Sequence, residues 1–186
     1  MTFFTEWHEN LPEINPTEIE ALEIIRRRYL YHLSSGSFTE GTVTLLLGAP
    51  LLEKAGFYDP PYRIRGEAFL EIEVEGENEE RLRGRIDVLV LQDRFWVLLL
   101  ESKRSSVALN TALPQTLAYM MGSPHPEKPV FGMVINGDGF QFLKLARSNP
   151  SRYDISPVFS PLPLQNQLHE VLKILKRIGM VILETH

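Results

Sequence analysis

Residues 84–103 have the sequence GRIDVLVLQDRFWVLLLESK, in which two apolar runs flank a short polar turn. The first run carries one carboxylate, Asp87, and the second ends abruptly in Glu101-Ser102-Lys103. Apolar runs of this length on either side of turn residues predict two paired strands, Arg85–Leu91 and Phe95–Ser102. Acidic residues are depleted in strands and a buried unpaired charge is costly, so both carboxylates require a compensating partner.

The compensation for these two carboxylates can take two forms. In the first, each carboxylate forms an ion pair with a basic neighbour at the end of the sheet, such as Arg85, Arg104 or Lys103. In the second, Asp87 and Glu101 together hold a divalent cation and Lys103 lies beside it. The second form is favoured by the spacing, because residues two apart on a strand emerge on the same face.

The turn between the two strands decides whether Asp87 and Glu101 face each other. In an antiparallel pair, opposed residues point to the same face and their numbers add to a constant. A two-residue turn at Asp93-Arg94 would place Ile86 opposite Glu101 and turn Asp87 to the other face. We therefore expect a turn with an odd number of residues, or a β-bulge that restores the same parity.

The rest of the chain alternates between helical and strand periodicity. A helix to Tyr31 is predicted with Thr17 as N-cap and Glu20 completing a capping box. Further helices are predicted at Glu40–Lys54 with a bend at Gly48-Ala49-Pro50, from Pro114 in a first turn to Met121, and at Asn166–Ile178. Further strands are predicted at Ala68–Val74, Val130–Asn136 and Phe140–Leu145, with turns at 76–79, 92–94 and 136–139. This order predicts an α/β fold, a mixed β-sheet flanked by helices on both faces.

The chain has 186 residues, which suits one substantial domain, and no repeat or linker divides it. We predict a single domain over residues 1–186, with an N-terminal arm and helix at 1–35, a core at 40–147 and a C-terminal helix at 164–180. Residues 1–12 lack periodicity and predict an extended arm or a short turn. The Pro- and Ser-rich segment from Arg147 to Pro163 predicts a loop.

The composition limits the classes of function. There is no cysteine, which excludes disulfides and thiolate metal sites. No apolar run approaches the roughly 20 residues needed to span a bilayer, and the amino terminus lacks signal-peptide character, so we expect a cytoplasmic protein without a membrane partner. The net charge of −5 is opposite to the basic field of most nucleic-acid binders, so any affinity for DNA must come from local Arg and Lys clusters.

An Asp in one strand followed by Glu-x-Lys at the end of the next resembles the PD-(D/E)xK nuclease superfamily, with Arg85-Ile86-Asp87 in place of Pro-Asp. Gln115 and Tyr119 form a Gln-x-x-x-Tyr pattern in the following helix, as in the branch that includes RecB-like nucleases. Glu40 is similar to the acidic residue of the first family motif. Over Glu40 to Leu145 the chain is most similar to the amino-terminal nuclease domain of type I restriction enzyme R subunits and small stand-alone relatives, and the resemblance implies a restriction-endonuclease-like fold.

The resemblance also implies which residues hold metal. Asp87, Glu101 and the carbonyl of Ser102 would ligate Mg²⁺, for which Mn²⁺ could substitute, and hard oxygen ligands suit both ions. Glu40 would hold a second ion or an ion-bound water. Lys103 would stabilise negative charge on the phosphate, or position or deprotonate the water.

Gln115 and Tyr119 are four apart on a helix and therefore share a face. The resemblance implies that they orient the lysine, the water or a phosphate. From the residues alone, the favoured interpretation is that Tyr119 is a core aromatic and Gln115 a surface polar residue.

The function implied by the resemblance is a Mg²⁺-dependent, restriction-type endonuclease that hydrolyses phosphodiester bonds, with DNA as the expected substrate. The alternatives are a catalytically inactive nuclease-fold protein that serves as a DNA-contacting or structural subunit, and an interaction protein with Asp87 and Glu101 in salt bridges. Arg83, Arg85 and Arg104 are candidate DNA contacts, and binding should be weak and salt-sensitive. Cutting a duplex would require a homodimer, a partner restriction or helicase subunit, or two binding events.

Overall fold

The computed structural model describes residues 3–74, 80–162 and 166–184 and has a six-stranded sheet with helices on both faces. The helices are α1 Pro16–Leu33, α2 Glu40–Val43, α3 Ala49–Lys54, α4 Leu109–Met121 and α5 Leu168–Glu184, and a π-helical turn, Thr44–Gly48, joins α2 to α3. The strands are β1 Tyr62–Val74, β2 Glu80–Gln92, β3 Phe95–Ser102, β4 Val130–Ile135, β5 Phe140–Ala146 and β6 Arg152–Phe159. The turn predicted at 76–79 lies outside the described residues.

The strands lie side by side in the order of the chain, from β1 to β6. Strands β3 and β4 are parallel, and every other neighbouring pair is antiparallel. A parallel pair needs a crossover connection, and α4 provides it. The predicted class, an α/β fold with a mixed sheet flanked by helices on both faces, is confirmed, and it is consistent with the restriction-endonuclease-like fold that the resemblance implies.

Two hydrophobic cores lie on the two faces of the sheet. The larger core packs α1, α3 and α5 on one face, where Leu98 and Leu100 of β3 contribute. The smaller core packs α4 on the other face, where Leu99 contributes. The alternation along β3 follows from the two-residue period of a strand, and full burial of each leucine contributes about 1.5–3 kcal/mol. Because β3 packs apolar side chains on both of its faces, a polar residue of this strand can reach a cleft only at the end of the strand.

The first helix begins earlier than the prediction. Asn15 is the N-cap, since its side chain accepts a hydrogen bond from the Glu18 amide at 2.9 Å and its own amide donates to the Glu18 carboxylate at 2.8 Å. Pro16 occupies the first helical position, where a missing N–H costs nothing. The prediction of Thr17 as N-cap with Glu20 as its partner is wrong because the stronger reciprocal cap lies two residues upstream.

The predicted bend at Gly48-Ala49-Pro50 takes the form of the π-helical turn Thr44–Gly48. A Cβ on Gly48 would lie 2.7 Å from Leu100 Cδ2, so only glycine allows the chain to approach the sheet this closely. This close approach brings α2 over the end of β3.

The segment predicted as a loop between Arg147 and Pro163 contains the edge strand β6, which pairs with β5. The loop prediction is wrong because β6 is largely exposed, with only Ser156 and Phe159 of its residues buried, so its sequence lacks the apolar alternation that predicts a strand. Proline is tolerated in an edge strand, where one row of backbone donors has no neighbour.

The amino-terminal segment is not a free arm. Phe4 is fully buried, and Glu6 forms an ion pair with Lys144 of β5 at 2.5 Å. Of the two forms predicted for residues 1–12, the described residues contain the short turn, in which His8 and Glu9 N–H donate to the Thr5 carbonyl. The extended arm is not found, because the apolar and paired side chains at the start of the segment dock on the sheet.

Helix α4 begins at Leu109, and Pro114 lies inside it instead of in its first turn. The prediction placed the helix start too late because proline is commonest in a first turn. None of the helices in the described part of the chain has the length and apolar character needed to cross a bilayer.

Candidate active site

The hairpin of β2 and β3 has a two-residue turn. Gln92 pairs with Phe95, so Asp93-Arg94 alone forms the turn, and Asp93 has a φ of 53°. Of the two predicted forms, an odd-residue turn or a β-bulge, the odd-residue turn is not found, and the assignment of Gln92 to the turn is wrong. Asp tolerates this left-handed conformation better than most residues, which explains why a tight turn forms here.

A β-bulge further along the hairpin restores the parity. Leu91 pairs with Trp96 but Val90 pairs with Leu98, which leaves Val97 without an opposed residue. Beyond the bulge, pairing is observed as far as Val88 and Leu100. Extending this register by one residue sets Asp87 opposite Glu101. The structure thus contains the second of the two predicted forms, a β-bulge that brings both carboxylates to the same face.

Asp87 is held against the end of β3 by the backbone. Its Oδ2 accepts a hydrogen bond from the Ser102 amide at 2.6 Å. Burial raises the pKa of Asp87, as does the negative charge of Glu40, while the Ser102 amide and the positive charges of Lys103 and Arg85 oppose the rise. The carboxylate therefore lies in a half-buried position with its proton affinity increased.

Glu101 is the most unusual polar residue of the site, since its side chain is buried within the apolar sheet. Only 2% of Glu101 is exposed, and its Oε1 is buried without a hydrogen-bond partner among the described residues. Burial, followed by the negative charge of Asp87, raises its pKa from the ordinary 4.5 to about 8, although Lys103 lowers it. An unsatisfied buried acceptor costs about 1–3 kcal/mol, more if charged, so this oxygen is poised to accept a proton or a cation.

A chain of hydrogen bonds connects Lys103 to helix α4. Lys103 Nζ donates to Gln115 Oε1 at 2.9 Å, and Gln115 Nε2 donates to Tyr119 Oη at 2.7 Å. Tyr119 is also a buried member of the smaller core, with 5% exposure. The structure therefore brings together the three residues whose link the Gln-x-x-x-Tyr pattern had suggested.

Sequence reasoning missed Gly84, which lies under the ring of Tyr119. A Cβ on Gly84 would lie 2.1 Å from Tyr119 Oη, closer than any real contact. Glycine inside a strand often marks a close approach of another group, and that was the available signal.

Thr44 is a second residue that the sequence analysis did not identify. Its hydroxyl shares a hydrogen bond with Ser102 Oγ at 2.6 Å and donates to the Glu40 carbonyl at 3.1 Å. The π-helical turn thereby fixes the start of α2 against the end of β3. The charge of Glu40 raises the pKa of both Asp87 and Glu101, so its carboxylate lies within electrostatic reach of the site.

The three arginines predicted to contact DNA do not form one cluster. Arg83 and Arg85 are exposed on the β1–β2 hairpin and form ion pairs with Glu71 and Glu67 at 3.1 and 3.4 Å. Exposed pairs of this kind contribute little to stability, so they could exchange partners. Arg104 instead lines a cavity of about 470 Å³ that it shares with Glu40.

The end of β3 carries oxygen atoms of the kind that divalent cations such as Mg²⁺ prefer. Asp87, Glu101 and the Ser102 carbonyl offer hard ligands, and the unpartnered Oε1 of Glu101 is the observation that fits such an ion best. In residues 3–74, 80–162 and 166–184, no group of three or more His, Cys, Asp or Glu side chains is arranged to hold a metal. Mg²⁺ commonly takes one or two carboxylates and keeps several waters, so a two-carboxylate site remains compatible with it.

Comparison with known proteins adds one structural likeness. No protein-family model matches the chain, and no curated protein matches it at a significant level. Among solved structures, the chain is similar to a fragment of a proposed HsdR subunit of a type I restriction enzyme from Vibrio vulnificus YJ016, at 17% identity and a TM-score of 0.45. The match covers 74% of this chain and 26% of that one. A likeness of this size leaves function to be argued from the site.

Proposed function

We propose that the protein is a divalent-metal-dependent, restriction-type endonuclease that hydrolyses phosphodiester bonds in DNA. The observation that supports the proposal most directly is Glu101, a buried carboxylate with an unpartnered oxygen, next to Asp87 and two residues before Lys103. The alternative of a structural salt bridge requires an ion pair to Glu101, and none is found among the described residues. A cation that binds reversibly at this oxygen would satisfy it.

Asp87, Glu101 and the Ser102 carbonyl would hold Mg²⁺, or Mn²⁺ in its place. When bound, such an ion supplies Lewis-acid activation of water and neutralises charge at the phosphate. Glu40 would orient the attacking water or assist with a second ion. This role is supported by the negative charge of Glu40, which raises the pKa of both carboxylates.

Lys103 would act on the substrate itself. Its Nζ would donate to a non-bridging oxygen of the scissile phosphate, where negative charge increases as the bond to the leaving group breaks. A lysine side chain is flexible, and the hydrogen bond from Nζ to Gln115 limits its motion before substrate arrives. Gln115 and Tyr119 are positioning residues in this proposal.

The test is a cleavage assay with supercoiled, linear duplex and single-stranded DNA and with RNA, in Mg²⁺, Mn²⁺ or EDTA. We expect metal-dependent cleavage of DNA by the wild type and by Glu20→Ala, a control at an exposed carboxylate of α1. Asp87→Ala should be inactive but folded. Equal cleavage by wild type and Asp87→Ala would mean that a contaminant or another site is responsible.

Two observations favour a second candidate, a nuclease-fold protein that contacts DNA without cutting it. The chain carries a net charge of −5, and the described residues lack a three-side-chain metal cluster. This candidate predicts DNA binding that is indifferent to Mg²⁺, and no cleavage with any ion in the same assay.

Cleavage of both strands of a duplex by one site requires a second copy, a partner restriction or helicase subunit, or two binding events. We propose a cytoplasmic protein that works in one of these ways on DNA. Sedimentation velocity with and without duplex DNA distinguishes a homodimer on DNA from a monomer that depends on another chain.

A further inference from the structure

We infer that the cavity beside Glu40 is a nucleotide subsite in which Arg104 binds a phosphate of the substrate strand next to the scissile bond. The inference rests on the proposed function and specifies where the substrate lies. The cavity holds about 470 Å³ and is lined by residues 37–41, Arg104 and Ser106. Small-molecule sites span roughly 300–1,000 Å³, so one nucleotide unit fits.

The cavity lies directly beside the proposed reacting centre. One wall contains Glu40, whose charge acts on both Asp87 and Glu101. The cavity is also lined by Arg104, which directly follows Lys103 in the chain. A strand whose scissile phosphate contacts Lys103 therefore has its neighbouring nucleotide within reach of this cavity.

The walls of the cavity are tied together before any ligand binds. Phe38 N–H donates to Ser105 Oγ at 3.1 Å, and Ser105 N–H donates to the Phe38 carbonyl at 3.4 Å. The Phe38 ring is buried against Tyr29, with ring centroids 5.6 Å apart. A preformed cavity loses little entropy on binding, as ligand sites generally require.

Of the three arginines predicted to contact DNA, Arg104 has the available guanidinium. Its side chain is exposed, and it forms no hydrogen bond or ion pair within the part of the chain that the structure describes. Arg83 and Arg85, by contrast, are ion-paired with Glu71 and Glu67. A guanidinium binds phosphate oxygens in a bidentate, charge-assisted manner, and Arg104 is free to do so in a polar cavity.

The Glu40 carboxylate in the same cavity limits phosphate binding when no cation is present. Like charges repel, and the repulsion is only partly screened at the short distances inside a cavity. Removing this charge with Glu40→Gln should therefore strengthen phosphate binding in EDTA. The effect separates a phosphate in this cavity from one bound elsewhere on the surface.

The experiment is calorimetric titration of the full chain, in EDTA and in Mg²⁺, with thymidine 5′-monophosphate, thymidine and inorganic phosphate. We expect the monophosphate to bind more tightly than either fragment. Arg104→Ala should raise its Kd about tenfold or more, which is typical for loss of a charge-assisted contact, and Arg104→Lys should recover part of the affinity. Arg28→Ala, which removes an exposed arginine of α1 outside the cavity, is the matched control and should change Kd less than about twofold.

Cleavage kinetics of the same variants separate this inference from the proposed function. Arg104→Ala should raise KM with little change in kcat. The subsite is wrong if Arg104→Ala cleaves DNA with the KM of the wild type, or if Glu40→Gln does not change monophosphate affinity in EDTA. Neither result contradicts the proposed nuclease function. If neither the wild type nor any variant cleaves DNA, but Arg104→Ala still weakens monophosphate binding, the subsite is supported and the proposed nuclease function is wrong. Absence of monophosphate binding to the wild type overturns the subsite.

Discussion

Tyr119 Oη occupies the space in which a side chain at position 84 would begin. A Cβ built on Gly84 would lie 2.1 Å from this oxygen and 2.5 Å from the ring carbon that carries it. The same oxygen accepts the hydrogen bond from Gln115 that orients the amide towards Lys103. Strand β2 thus supports the position of a lysine on the neighbouring strand through a helix.

Gly84→Ala should displace Tyr119 and loosen Gln115 and Lys103 in turn. We expect kcat for cleavage to fall, KM and metal affinity to change little, and stability to fall by about 1–3 kcal/mol, the usual cost of overpacking. Urea denaturation and steady-state kinetics measure the two effects. Gly41→Ala is the control for stability, because a Cβ there would meet nothing within 4 Å. An unchanged kcat in Gly84→Ala would show that the hydrogen-bonded chain does not position the lysine.

Lys103→Ala should reduce kcat by roughly 100-fold or more, in the range known for loss of one group that stabilises transition-state charge. The protein should stay folded, because Lys103 is partly exposed at the end of the sheet and its loss opens no core cavity. Circular dichroism and single-turnover kinetics report the two effects. Gln115→Ala should produce a smaller loss, and Lys54→Ala on α3 serves as the control. A Lys103→Ala enzyme as fast as wild type would remove the lysine from the mechanism.

The stability of the metal-free protein should fall as the pH rises from about 4.5 to about 8. Burial and Asp87 raise the pKa of Glu101 from 4.5 to about 8 in the folded state, so the folded protein holds a proton that the unfolded chain has lost in this range. Each proton held by the folded state alone makes stability decrease with pH. Asp87 contributes in the same direction, because burial raises its pKa as well.

Urea denaturation in EDTA between about pH 5 and about pH 9 measures this dependence. Glu101→Gln should flatten it and should be more stable than the wild type above pH 8, because the amide is never charged. A wild-type slope no steeper than that of the variant would contradict a buried, titrating Glu101.

Mg²⁺ or Mn²⁺ should stabilise the wild type, because only the folded state brings Asp87 next to Ser102 and Glu101. At a free concentration of 100 times Kd, the gain is about 2.7 kcal/mol. The rise in Tm should be larger at pH 8 than at pH 6, since the ion competes with the proton on Glu101. Asp87→Ala should show no rise, and in EDTA it should melt no lower than the wild type, because it removes a like charge. If neither Mg²⁺ nor Mn²⁺ changes the Tm of the wild type, an organised metal site is excluded.

Affinity for DNA should be weak and should fall steeply with salt. The chain has 19 basic and 24 acidic residues, so phosphate contacts come from a few arginines and lysines. Each neutralised phosphate adds about −0.9 to the slope of log K against log salt for a duplex. Fluorescence anisotropy at several salt concentrations gives this slope, and salt-insensitive binding is incompatible with the prediction.

The part of the site predictable from sequence lies on the β2–β3 hairpin. Strand β3 has the predicted bounds, Phe95–Ser102, because continuous apolar burial and an abrupt polar end are local properties. An odd turn and a β-bulge both place Asp87 and Glu101 on the same face of the sheet, and the local sequence does not distinguish between them. That choice depends on how both faces of β3 pack, which is a tertiary property.

Other features of the site depend on contacts that no local pattern contains. Thr44 meets Ser102 because a π-helical turn lies over the sheet, and Gly84 matters only because Tyr119 packs on it. Strand β6 was missed for a related reason, since Pro157 is acceptable only in a strand whose outer edge is unpaired.

Because of the β-bulge at Val97, strand β3 has one residue more than regular pairing with β2 requires. Deletion of Val97 would produce a regular hairpin with the same two-residue turn, and Asp87 would still be opposite Glu101. A second deletion in β3 would not remove a bulged residue. With the same two-residue turn, it would place Glu101 opposite Val88. The hairpin can therefore become shorter by a single residue without separating the two carboxylates, and this is the length tolerance to apply when its loop is redesigned.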